Sequence, residues 1–199
     1  MAIAVFLAEG FEEIEALTVV DLARRAGIET RMVRVPAGEE HGEAASCCEG
    51  TDPCVTGSHG IRVCADEELS ETDLSSFDML VLPGGLPGTT NLASCDALTD
   101  AVKSFLDAGK KVAAICAAPG IILGRKGWLK GRTAVSHPSV RSDLKDAQVP
   151  DADAVTDDNL ITACGMGCAI PFALEIVKAL CGEEKAEEIR QAIVYRAYQ

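Results

Sequence analysis

Basic residues are scarce in this sequence: 18 Lys and Arg stand against 31 Asp and Glu, for a formal net charge of −13. With a pI near 4.6, that deficit argues against nucleic acid and anionic membrane surfaces as partners. No apolar run approaches the length of a membrane span, and no positively charged segment precedes a leader-like apolar core. The chain is therefore expected to be cytoplasmic. There is no internal repeat, low-complexity tract or interdomain linker, so the 199 residues read as one domain, 1–199. Nine cysteines are an odd number in a chain without a secretion signal, and most are expected to be reduced thiols. A hydrophobic content of 48% and a mean hydropathy of +0.16 describe a well-packed globule rather than a disordered chain.

What is present is an alternation of strand and helix signals. Residues 2–7 form an apolar run, followed by the turn Ala8-Glu9-Gly10-Phe11 and a helix from Glu12 to about Ala26. Ile14, Leu17, Val20 and Leu22 mark its apolar side, and Arg24-Arg25-Ala26-Gly27 ends it. Residues 29–35, 61–64, 77–82, 112–115, 133–136 and 160–163 read as strands. Helices are expected around Leu98 to Leu106, after Pro119, from Ile170 to Leu180 and from Glu183 to Tyr195. The pattern breaks at about 37–59, which reads as a surface loop insertion. His41, Cys47, Cys48 and Cys54 lie there, but adjacent cysteines are not a standard zinc spacing, and a metal-free loop is the expectation. Cys164 and Cys168 flank the turn Gly165-Met166-Gly167, and two cysteines make no metal site by themselves.

The chemistry concentrates at Val112-Ala113-Ala114-Ile115-Cys116-Ala117-Ala118-Pro119. A buried strand runs into a cysteine and small residues, then into an apolar segment with helical spacing. That is the arrangement of a nucleophile elbow with cysteine in place of serine. A thiol at a helix N-terminus is expected to be favoured as the thiolate, beside amides free to receive an oxyanion. A buried structural cysteine is the plain alternative. Pro83-Gly84-Gly85 after the 77–82 strand permits close approach of a ligand, although its spacing fits neither a Walker motif nor GxGxxG. Ligands in open α/β sheets sit at the carboxyl ends of strands, so Gly84, Gly85 and Cys116 are expected to share one crevice. His137 stands at a strand end, where a structural and a catalytic role are both open.

Taken together, Ala8 to Glu15, Arg24 to Ile28, Leu82-Pro83-Gly84-Gly85, Ala113 to Pro119 and Ser136-His137-Pro138 resemble the ThiJ/PfpI (DJ-one) superfamily. The branch they resemble holds the parkinsonism-associated protein and bacterial deglycase/chaperone relatives. Asn159-Leu160-Ile161-Thr162 and Phe172-Ala173-Leu174 extend the match over nearly the whole chain. The resemblance implies a flavodoxin-like three-layer α/β/α sandwich with a mostly parallel sheet, usually as a homodimer and without a cofactor. It implies Cys116 as the reactive cysteine, Glu15 as the acid bonded to its sulfur and His137 nearby. Gly84, Gly85 and Ala117 then form the substrate-binding positions, the last two through their amides. Gly165-Met166-Gly167 replaces the usual Gly-Pro-Gly in one wall of the pocket.

The activity implied is that of a glutathione-independent glyoxalase or deglycase acting on small reactive aldehydes such as methylglyoxal or glyoxal. Two further readings use the same cysteine: an oxidative-stress sensor or chaperone, and a cysteine peptidase. Two negative charges in a partly buried crevice are costly, so Glu15 and Cys116 are expected to share one proton near neutral pH, held on a neutral Glu15 that donates it to a Cys116 thiolate.

Overall fold

In the computed structural model, residues 1–36 and 53–196 are described. Strand β1 (Ala2–Leu7) leads to helix α1 (Glu13–Arg25) and strand β2 (Glu29–Arg34). Strands β3 (Cys54–Thr56), β4 (Arg62–Cys64), β5 (Glu67–Glu68) and β6 (Met79–Leu82) follow. Helices α2 (Gly88–Ser94) and α3 (Asp96–Asp107) precede β7 (Lys111–Ile115). After β8 (Ala154–Asp157) and β9 (Leu160–Ala163), the chain closes with α4 (Ala169–Cys181) and α5 (Glu183–Ala192). The main sheet has the order β5-β2-β1-β6-β7-β9-β8. Its pairs are parallel except β8 with β9.

The side-chain period of two along β1 divides the core into its layers. Ile3, Val5 and Leu7 pack with Val19 of α1 and with Phe172 and Ile176 of α4. Ala4 and Phe6 face the other way, into Leu98, Val102 and Phe105 of α3. A sheet covered by helices on both faces is the α/β/α architecture expected from the alternation, and its central strands are continuous apolar runs for that reason. Helix α1 carries Glu13 and Glu15 in its first turn and Arg24 and Arg25 in its last, matching the helix dipole.

Several local expectations change. Residues 133–136 form no strand: their amides go to Asp157 Oδ2, the Gln148 carbonyl and Thr162 Oγ1, leaving a single bridge from Thr133 to Gln148. The apolar stretch after Cys116 is a six-residue π-helix, Pro119–Gly124, rather than an α-helix. The expected 37–59 loop is ordered at its end. There β3 pairs antiparallel with β4, and Val55 and Cys54 are buried. Such a three-residue strand between Pro53 and Gly57 is too short for periodicity to reveal. His41, Cys47 and Cys48 lie outside the described residues, and Cys54 is disulfide-bonded. Cys95, Cys116, Cys164, Cys168 and Cys181 are free thiols.

Candidate functional site

Strand β7 ends at Ile115, and Cys116 follows with φ of +63°. A side chain in the left-handed region costs about 1–3 kcal/mol and persists only where the surroundings impose it. Here the Cys116 N–H is held by the Ala163 carbonyl at 3.0 Å, and the Cys116 carbonyl accepts the His137 N–H at 2.8 Å. The strand end and the 133–137 segment therefore pin the turn from two sides.

Glu15, in the first turn of α1, is buried at 1% exposure. Its Oε2 accepts the Gly84 N–H at 2.8 Å, and its carboxyl bonds the Cys116 thiol. Oε1 is buried without a nitrogen or oxygen partner among the described residues. Gly84 lies directly against Glu15 and Cys116. A Cβ at Gly84 would lie 2.6 Å from Glu15 Oε2, 2.6 Å from Cys116 Cβ and 3.0 Å from Sγ, so only glycine fits. Gly85 has φ of +89°, and a Cβ there would meet the Glu12 nitrogen at 2.3 Å. That conformation turns the Gly85 amide, together with that of Ala117, onto the Cys116 sulfur.

Burial pushes the Glu15 carboxyl up to about 7, against the pull of its bonds to Cys116 and Gly84. Burial, and then the Glu15 charge and hydrogen bond, push the Cys116 thiol up to about 12, while the Ala117 and Gly85 amides oppose this. The expected lowering of the thiol is thus reversed: two amides do not outweigh burial beside a carboxylate. The two values belong to the pair, which holds one proton from about pH 7 to about pH 12.

His137 lies at the rim, exposed. Its Nδ1 accepts the Ser139 N–H at 3.2 Å and lies 2.8 Å from the Ser139 hydroxyl. A neutral ring so held carries its proton on Nε2. A Cβ built on Gly165 would lie 3.5 Å from His137 Cδ2 and 3.9 Å from Cys116 Sγ, so the Gly-Met-Gly turn forms a wall beside both. Ser139 had no sequence signal beyond its place after His-Pro.

Glu12, Glu13 and His59 place ligand atoms within 4.8 Å of one another. Glu13 is already engaged by the amides of His59 at 2.8 Å and Ile61 at 3.3 Å and by the Ser58 hydroxyl at 3.3 Å. The cluster serves as the anchor of the β3–β4 hairpin on α1.

Among solved structures, the chain is similar to oxidized DJ-1 of Toxoplasma gondii, with a TM-score of 0.86 and 30% identity over 98% of this chain and 99% of that one. It is 35% identical to Protein dj-1beta of Drosophila melanogaster, covering 96% of this chain and 95% of the relative. It is 29% identical to the glutathione-independent glyoxalase DJR-1.2 of Caenorhabditis elegans, covering 91% and 89%. A model of the DJ-1/PfpI family matches residues 1–179, and with these relatives it establishes that the chain belongs to the DJ-1/PfpI family.

Proposed function

We propose that this chain is a glyoxalase-type enzyme that converts a small 2-oxoaldehyde, methylglyoxal or glyoxal, to the corresponding 2-hydroxy acid. The observation that carries this reading is the Glu15 carboxyl bonded to the Cys116 thiol, with the Gly85 and Ala117 amides turned onto the same sulfur. That set supplies a nucleophile, a proton carrier and two oxyanion donors at one point.

In this scheme Glu15 takes the thiol proton as Cys116 sulfur bonds to the aldehyde carbon, and the carbonyl oxygen moves into the two amides. Glu15 returns that proton to the oxygen, completing the hemithioacetal. It then removes the C–H proton from the former aldehyde carbon. That proton is delivered to the adjacent carbon while the hydroxyl proton passes from the first oxygen to the second, leaving a 2-hydroxy thioester, which water hydrolyses to the acid and the free thiol. A carboxyl near 7 suits a group that both accepts and donates at neutral pH. His137, with its proton on Nε2, is the donor that orients the second carbonyl. The same steps on a tethered adduct would reverse glycation of thiols or amines. A peptidase would need an imidazole as base to the thiol, whereas the group bonded to the thiol here is a carboxyl.

The family resemblance and exposed apolar residues also support a homodimer. Ile14 on α1 is 50% exposed and Ile61 beside β4 is 53% exposed. The test of activity is lactate formation from methylglyoxal by purified protein, with Cys116→Ser as control. Lactate that depends on Cys116 supports the reading; turnover equal in the variant, or none in the native protein, overturns it.

A further inference from the structure

The glycines around Cys116 differ in what requires them. A Cβ at Gly84 would collide with Glu15 and Cys116, and one at Gly85 with the backbone entering α1, so packing excludes any other residue there. Gly165 is under no such demand. Its φ of 165° and ψ of −169° are extended backbone that any residue adopts. A Cβ there would make ordinary contacts, 3.5 Å to His137 Cδ2 and 3.9 Å to Cys116 Sγ, and would meet nothing else within 4 Å among the described residues. What glycine leaves at this position is an unfilled gap between the thiol and the imidazole. We propose that Gly165 is a specificity-determining residue, whose gap receives the substituent on the second carbon of a 2-oxoaldehyde such as methylglyoxal. This role rests on the glyoxalase reading and specifies which part of the substrate lies where.

The fold holds the gap in place. Strand β9 pairs with β7 so that Ala163 lies opposite Ile115, and the two chains leave the sheet side by side. The Cys116 N–H donates to the Ala163 carbonyl at 3.0 Å, and the Gly165 carbonyl accepts the Cys168 N–H at 2.7 Å. Residue 165 is therefore fixed relative to the sulfur. Beyond it the turn is open: Met166 is 51% exposed, and a Cβ at Gly167 would meet nothing within 4 Å among the described residues.

The lining of the gap selects the group that enters it. Once sulfur is bonded to the aldehyde carbon, the first oxygen lies on the Gly85 and Ala117 amides and the second faces His137. The remaining group on the second carbon is a hydrogen in glyoxal and a methyl in methylglyoxal. In an extended adduct that group stands three bonds from sulfur, far enough to reach the position of a residue 165 Cβ. The gap is bordered by sulfur and a ring C–H edge, neither of which needs a hydrogen-bond partner, so it suits an apolar substituent. A methyl group on residue 165 would occupy the same space. One methylene in a hydrophobic pocket is worth about 10–200-fold in discrimination.

The test compares the two aldehydes on purified native protein and on Gly165→Ala, with circular dichroism and thermal unfolding to check the variant's fold. In Gly165→Ala, kcat/KM for methylglyoxal is expected to fall at least about tenfold and that for glyoxal less than about threefold. Gly165→Ser places its Cβ at the same point and should behave alike. Peptide mass spectrometry of Cys116 adds a readout that does not need turnover. Methyl methanethiosulfonate leaves a short unbranched group on sulfur, whereas iodoacetamide leaves a branched chain that reaches the gap. The ratio of iodoacetamide to thiosulfonate rates should fall about tenfold in the variant. Native turnover with unchanged selectivity between the aldehydes in Gly165→Ala would overturn the role of Gly165 and leave the glyoxalase reading standing. If native protein turns over neither aldehyde, the glyoxalase reading fails and the labelling decides. A fallen ratio then keeps the gap as the seat of an electrophile's substituent, and an unchanged one overturns it as well.

Discussion

Gly84 donates its backbone N–H to Oε2 of Glu15 at 2.8 Å, across 69 positions of sequence. This bond ties the end of β6 to the first turn of α1 and sets the carboxyl against Cys116. Gly84→Ala would force a methyl group to within 2.6 Å of both Glu15 Oε2 and Cys116 Cβ. The expected outcome is loss of most methylglyoxal turnover with a destabilisation of about 1–3 kcal/mol, read by lactate assay and urea unfolding. Native turnover in this variant would show that the carboxyl does not need its present position.

Glu15→Gln separates proton transfer from folding. The amide can still accept the Gly84 N–H and donate to sulfur, but cannot carry a proton, so turnover should fall at least about 100-fold. In the native protein, turnover should rise as pH increases through about 7, when Glu15 becomes able to accept the thiol proton.

Stability should respond to the same substitution in the opposite sense. The Glu15 carboxyl is raised from 4.5 to about 7 on folding, so between these values the native state holds a proton that the unfolded chain has lost. Native stability therefore falls as pH rises through that window, by about 3 kcal/mol at most. Glu15→Gln should be the more stable protein at pH 8, with the difference vanishing near pH 4. Equal unfolding midpoints at both pH values would remove the raised carboxyl from the account.

Glu13 has the reverse dependence. Burial opposes its charge, but bonds from its own amide, His59 and Ile61 hold it below 4.5. Its contribution is present above the unfolded value and is lost as pH falls. Glu13→Ala leaves the His59 and Ile61 amides without their acceptor and should cost about 2 kcal/mol at pH 7, less at pH 3. Thermal unfolding at the two pH values reads the difference.

Homodimerisation is expected to use α1 together with Ile61 and β4. Sedimentation at micromolar concentration should give a dimer, and Ile14→Asp with Ile61→Asp should shift it to monomer. A native monomer, or a charged variant still dimeric, places the contact elsewhere or removes it.

Local pattern alone revealed the layers and the place of Cys116 at the end of β7. β1, β6 and β7 are short apolar runs because both faces of the sheet are covered, and α1 and α3 show helical spacing. Those signals lie within a few residues of one another, as did the small residues around Cys116. The edge strand β8 escaped notice because its half-exposed residues carry no such run, and residues 133–136 looked like a strand although side chains and loop carbonyls satisfy their amides. Long-range placement decided the chemistry: Glu15 reaches Cys116 across 101 positions, and its burial there, rather than any helix end, sets the proton balance of the pair. A sequence specifies which groups exist and which faces they share; their electrostatics depend on burial and neighbours, which only the packed fold supplies.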